Sequence, residues 1–249
     1  ILGSAEGGNV VGSTLEHPAT MSARNQWSAF MKKKNINIPH EPDSSMVTED
    51  DYASTVNCDT RVATIVHTNP VTGTTLDVNA IATTIRKKSP NCVIVVDSIQ
   101  RAAHGRLNIQ SHLIDACVLS GYKVFSKHNY GIAWLSPRLS NIPHEKLDGT
   151  PNNFWNLGTR DTTAYATFGN VVDYFDWLGS QLTDSTNREE RFKSASLAIT
   201  KHEAYLVETA INGTSEIPGI KDMGDSYIIG GINNSNRESL VSYSFNNIP

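Results

Sequence analysis

The chain has 249 residues, 21 Lys and Arg against 25 Asp and Glu, and a formal net charge of −4. That length can bury a sizeable core, the mild acidity argues against a nucleic-acid partner, and no apolar run is long enough to cross a membrane. Cys58, Cys92 and Cys117 are odd in number, far apart and not in CxxC spacing, which fits a reducing, cytoplasmic setting rather than a disulfide framework.

Apolar runs and helical patterns alternate along the chain, the signature of an α/β layered domain. Asn9–Leu15 reads as a strand, followed by a helix from about Ala19 to Lys34 that starts beside Pro18. Its Lys32-Lys33-Lys34 cluster would sit in the last turn and favour the helix dipole. Ile36–Ile38 is a short strand, and Thr48 precedes three acids as an N-cap would. Arg61–His67 is a buried strand and Asp77–Lys88 a helix with Val78, Ile81, Ala82 and Ile85 on one face. Val93–Val96 is a continuous apolar run of the kind covered on both faces of a parallel sheet. Ala116–Leu119 and Gly131–Leu135 follow as strands, then long helices from Thr162 to about Leu178 and from Arg188 to about Ile211. Leu240–Phe245 is a late strand, and a change of composition near Gly213 divides the chain into a large unit, 1–212, and a smaller one, 213–249.

Strands alternating with helices imply right-handed crossovers and a mostly parallel sheet, in which ligands bind at the carboxyl ends of strands. Three such ends carry reactive groups: Glu16-His17 after the first strand, Asp97 after Val93–Val96, and Lys123 shortly after Ala116–Leu119. An acid at the end of a buried strand needs a cationic partner or several hydrogen-bond donors. A lysine beside apolar strands can lose its proton and act as a nucleophilic amine. Acid, amine and imidazole together suit a pyridine cofactor. Taken singly, each has an ordinary reading: Asp97 as a turn or cap residue, Lys123 as a solvated lysine, His17 as a histidine beside a helix-starting proline.

The stretch VIVVDSIQRAAHGRLNIQSHLIDACVLSGYKVFSKHNYGIAWL, Val93 to Leu135, closely resembles the core of the class V aminotransferase family of pyridoxal-phosphate enzymes, which includes cysteine desulfurases, selenocysteine lyases and isopenicillin N epimerase-like proteins. The pattern is an apolar strand, Asp97-x-x-Gln100, His104, an Asp before the next strand, Ser120-x-x-Lys123 and a glycine-led return strand. Glu16-His17 and Gly158-Thr159 resemble the flanking family segments, and the resemblance runs from about Asn9 to Asn212. It implies the three-layer large domain of fold type I, a homodimer with a shared active site, and pyridoxal 5'-phosphate acting on an amino acid as small-molecule substrate. Lys123 would carry the cofactor as the internal aldimine and move the Cα proton. Asp97 would pair with the ring nitrogen, Gln100 with the 3-oxygen, and His17 would stack on the ring. Ser120 would bind the phosphate, Thr159 would reach the neighbouring subunit's phosphate, and His104 would lie nearby in a less defined role.

The chain departs from the pattern in places. Tyr122 stands where desulfurases commonly have a phosphate-binding His, and Pro70 stands where many members have an Asn, with Asn69 one residue early. Gly3–Gly8 does not match the family's first phosphate loop, and the substrate-binding Arg and the Cys loop of the small domain are absent. The expectation is therefore a large domain cut from a longer protein, whose chemistry is most like that of a cysteine desulfurase or C–S lyase. Class V transamination, epimerisation, a non-catalytic scaffold of the same fold and a Rossmann-type nucleotide domain stand as alternatives. No glycine fingerprint or P-loop supports the last, and the spacing of His17, His67 and His104 fits no metal template.

Overall fold

The computed structural model describes residues 8–159 and 161–245. Gly3–Gly7, and with them most of the expected phosphate-loop segment, lie outside the described residues. The elements are β1 (Asn9–Ser13), α1 (Pro18–Phe30), β2 (Lys34–Ile38), α2 (Glu49–Thr55), β3 (Thr60–Val66), α3 (Val78–Lys88), β4 (Val93–Asp97) and the short α4 (Arg101–His104). They continue with β5 (Ala116–Ser120), β6 (Gly131–Leu135), the short α5 (Pro137–Ser140), α6 (Thr162–Ser180), α7 (Arg188–Asn212), β7 (Ser226–Ile228) and β8 (Tyr243–Phe245).

Six strands form one sheet in the order β2-β1-β3-β4-β5-β6. All neighbours are parallel except β5 and β6, which run antiparallel. The chain passes from β1 outward to β2 and then crosses back to β3 on the other side of β1. That reversal opens a crevice at the carboxyl ends of β1 and β3, the usual ligand position in a sheet of this kind. The topology is the mixed, mostly parallel one expected.

Side-chain alternation sorts the strands into two faces. Val11, Ala63, Ile65, Ile94 and Val96 are fully buried and join Tyr52 of α2 and Val78, Ile81, Ala82 and Ile85 of α3 in the main core. On the opposite face, Gly12 lies so close to Arg24 of α1 and to Thr64 that a Cβ there would collide with both side chains. The expectation that Val93–Val96 is covered on both faces holds for one face only: Val93 and Val95 remain half-buried.

Local chemistry accounts for the helix ends. Thr48 and Asp51 make a reciprocal capping box at α2, and Asp77 and Asp161 cap α3 and α6 by accepting from Ala80 and Ala164. Helix α1 stops at Phe30, four residues earlier than its composition implies. Lys32 turns the chain at φ 53°, and Lys34 already belongs to β2. The lysine cluster therefore lies in a turn and a strand start and does not neutralise a helix dipole. The late strand is shorter than expected and pairs with β7 in a separate two-stranded sheet.

One buried carboxylate ties the right half of the sheet together. Asp115, 2% exposed, accepts from Arg86 of α3 at 2.6 Å, from Arg138 of α5 at 2.6 and 3.0 Å, and from the Ile94 N–H at 2.8 Å. Burial opposes ionisation, but Arg138, the Ile94 N–H and Arg86 outweigh it and hold the carboxyl below its usual range. Asp115→Ala should cost about 3–5 kcal/mol in chemical denaturation, because two guanidinium groups lose their buried partner; a loss under about 1 kcal/mol would contradict this role.

His67, immediately after β3, is also buried, with Nδ1 3.2 Å from Ser98 Oγ. Burial, aided by the charge of Arg101, lowers its pKa from 6.5 to about 3. The unfolded chain therefore takes up a proton that the folded chain refuses. The associated stability is complete above the unfolded value and is lost as pH falls from 6.5 toward 3. Between pH 8 and pH 5 the protein should lose about 2 kcal/mol more than its His67→Gln variant. Equal losses in the two proteins would show that His67 is not held neutral.

Candidate active site

Four adjacent parallel strands, β1, β3, β4 and β5, end on the rim of one cavity of about 260 Å³. His17 and Ala19 come from the β1 end, Val66, Thr68 and Pro70 from β3, Asp97, Ile99 and Gln100 from β4, and Ser120, Tyr122 and Lys123 from β5. Five of the eight residues singled out in the sequence thus meet in one place. A larger hollow of about 340 Å³ near α6 and α7 is lined by Val171, Phe175, Phe192 and other largely apolar side chains, and none of the candidate residues borders it.

Each side chain is set by its local backbone. His17 caps α1: its Nδ1 accepts from the Ala19 N–H at 3.1 Å, which fixes the ring while leaving it exposed to the cavity. Asp97 ends β4, and its Oδ1 accepts from the Ile99 N–H at 3.0 Å. No ion pair involves Asp97 among the described residues. Burial raises its pKa, moderated by the Ile99 N–H and by His17. A carboxylate so placed has spare acceptor capacity and gains from a cationic N–H beside it. Lys123 lies in a single 3₁₀ turn, Gly121–Val124, ended by Phe125 at φ 66°. Its Nζ donates to Gln100 Oε1 at 3.1 Å. Ser120 opens that turn without capping it through its side chain, which leaves the hydroxyl at the cavity wall.

The remaining candidates fall elsewhere. His104 lies behind Gln100, with their Nε2 atoms 2.8 Å apart. Thr159 is exposed in the coil ahead of α6 and does not line this cavity. Asn69 does not face the cavity either: its Nδ2 donates to the Leu15 carbonyl and its Oδ1 accepts from the Val71 and Thr72 N–H groups, all at 2.8 Å. It braces the loop after β3 against the end of β1, and its neighbours Thr68 and Pro70 take the lining positions. Glu16 points inward, 3% exposed, where burial raises its pKa to about 7 against the pull of Arg24.

Other contributors were marked weakly or not at all in the sequence. Tyr122 stacks on His128, with centroids 4.7 Å apart and planes 10° from parallel, so the variant position before the lysine is backed by an imidazole after all. Thr68 was reachable through the strand-end rule alone, since it follows β3. Glu203 and Ser239, which contact His104, lie about a hundred or more residues away in the chain.

Donor chemistry and placement fit pyridoxal phosphate. An amine, a half-buried carboxylate with no ion-pair partner among the described residues, a serine hydroxyl and an exposed imidazole converge on one cavity, and those are the groups such a ring and its phosphate require. Among proteins of known identity, the chain is 24% identical over 246 residues to "Probable cysteine desulfurase 2" of Mycobacterium leprae, covering 96% of this chain and 55% of that protein. It is 33% identical over 91 residues to "Probable cysteine desulfurase" of Mycoplasma genitalium, covering 36% and 22% of the two chains. Where nearly all of the chain is matched, it spans little more than half the length of such relatives. The solved structure of the cysteine desulfurase CsdA of Escherichia coli superposes with a TM-score of 0.72 at 16% identity, covering 98% of this chain and 58% of that one, a likeness of fold. The profile of the family described as Aminotransferase class-V matches residues 3–247, and the chain accordingly belongs to that family.

Proposed function

We propose that this chain is the cofactor-binding part of a pyridoxal-phosphate enzyme that acts on an amino acid, a small-molecule substrate, in the manner of a cysteine desulfurase or C–S lyase. The observation that carries this reading is the shared cavity of Lys123, Asp97, His17, Gln100 and Ser120 at four successive strand ends. The family match and the desulfurase names of its relatives support it.

When bound, pyridoxal phosphate supplies an electron-withdrawing ring that stabilises negative charge at the substrate Cα. The protein's part follows from its own groups. The Lys123 amine would hold the cofactor and would carry the proton to or from the substrate Cα. Asp97 would keep a proton on the ring nitrogen, a cationic partner that would offset the burial that raises its own pKa. His17 would cover a ring face and exclude water, Ser120 would donate to the phosphate, and Gln100, whose carbonyl oxygen accepts from the Lys123 amine, would contact the ring's 3-oxygen. In this reading residues 1–212 make up the cofactor-binding unit and 213–249 the smaller one. Thr159, exposed ahead of α6, is available to a neighbouring subunit in a homodimer. Three unpaired cysteines agree with a reducing cytoplasm, and no described helix is long and apolar enough to cross a membrane.

Two variants divide the roles. Added pyridoxal phosphate should give the full-length protein a visible absorption band, and borohydride treatment should fix the added mass on Lys123. Lys123→Ala should abolish both; a band that persists, or mass on another lysine, would remove Lys123 from the reaction. Asp97→Asn should keep the fixed mass but slow turnover about a hundredfold or more, the scale of losing one preorganised electrostatic partner. Turnover within about threefold of the parent would contradict the assignment of Asp97 to the ring nitrogen.

A further inference from the structure

We infer that His104 and Glu203 are positioning residues that aim the Gln100 carbonyl at the Lys123 amine. The inference rests on the reading of Lys123 as the cofactor lysine and extends it to two residues outside the cavity wall.

The argument is one of donors and acceptors. Lys123 Nζ donates to Gln100 Oε1 at 3.1 Å. The other end of that amide, Gln100 Nε2, lies 2.8 Å from His104 Nε2. An amide nitrogen only donates, so His104 Nε2 must be an acceptor and the ring proton must sit on Nδ1. Nδ1 meets acceptors suited to it: the Glu203 carboxylate oxygens at 3.0 and 3.2 Å and Ser239 Oγ at 2.6 Å. The chain of bonds therefore has one direction, from Lys123 through Gln100 and His104 to Glu203. Reversing the Gln100 amide would set its NH₂ against the lysine ammonium and demand a proton on His104 Nε2, away from Glu203. One tautomer of His104 and one orientation of Gln100 are thus locked together.

The lock is held from a distance. Thr200 of α7 donates to the His104 carbonyl at 2.9 Å, one turn before Glu203 on the same helix. Arg101, at the start of α4, pairs with Glu238, next to Ser239. Helix α7 and the segment around Glu238 therefore grip the short α4 turn and hold His104 against Gln100. Gln100 is buried, so no bulk water replaces a lost partner there.

The test is competitive acylation of Lys123 with acetic anhydride at a fixed pH of 8, on the full-length protein without cofactor. His104→Phe should raise the Lys123 acylation rate about threefold relative to the other lysines, because the amine loses its fixed acceptor. His104→Gln, whose carbonyl can face the Gln100 NH₂, should restore the parent rate. An unchanged rate in a natively folded His104→Phe protein overturns the inference, as does failure of His104→Gln to restore it. Should His104→Phe not fold, the ¹⁵N spectrum of the parent protein decides: a proton on Nδ1 alone supports the inference, and a proton on Nε2 overturns it. The visible band with pyridoxal phosphate is read in parallel. Its absence from the parent protein, with the acylation difference intact, would count against the cofactor reading and in favour of the hydrogen-bond chain standing apart from it.

Discussion

Parallel pairing of β1, β3, β4 and β5 is the constraint on which the site depends. Parallel neighbours point the same way, so their carboxyl ends emerge along one edge of the sheet. Strands stand about 4.8 Å apart, so four successive ends span roughly 14 Å. A planar ring and its phosphate can lie across that span. The reversal of connection at β1 keeps a crossover from closing over the edge, and this is where the cavity opens. The strands themselves contribute almost no chemistry; they set the spacing at which short turns present it.

Rigid backing holds those turns in place. Asp115 joins α3, α5 and the β4–β5 pair through two arginines, close to the strands that deliver Asp97 and the Lys123 turn. Asn69 ties the loop after β3 to the end of β1. Behind the cavity, α7 and the Glu238–Ser239 segment press His104 toward Gln100. Reactive groups on short turns are thus supported by polar contacts on several sides, the kind of backing that fixes side-chain geometry in a site.

The sheet was legible because its apolar runs are short, bounded and separated by periodic helices. β6 matches its sequence reading residue for residue, and most other strands agree within one or two. Lys123, Asp97, His17, Gln100 and Ser120 were legible because strand ends and a family pattern mark them. Asn69 was misplaced for a physical reason: an Asn after a strand can serve a ligand or brace a turn, and only the loop's path decides. The stop of α1 depended on Lys32 adopting a left-handed conformation, which nothing in a run of three lysines announces. Glu203 and Ser239 were invisible because no local pattern links a helix nearly a hundred residues downstream to a histidine beside β4.

The central claim is that Lys123 and Asp97 face one another across a space that holds a pyridine ring. A crystal structure of the full-length protein grown with pyridoxal phosphate tests it most directly. The account predicts density continuous with Lys123 Nζ, a ring whose nitrogen lies within hydrogen-bond distance of the Asp97 carboxylate, and His17 over one face. Density bound elsewhere, or a Lys123 side chain turned to solvent with Asp97 in contact with another cation, would contradict it.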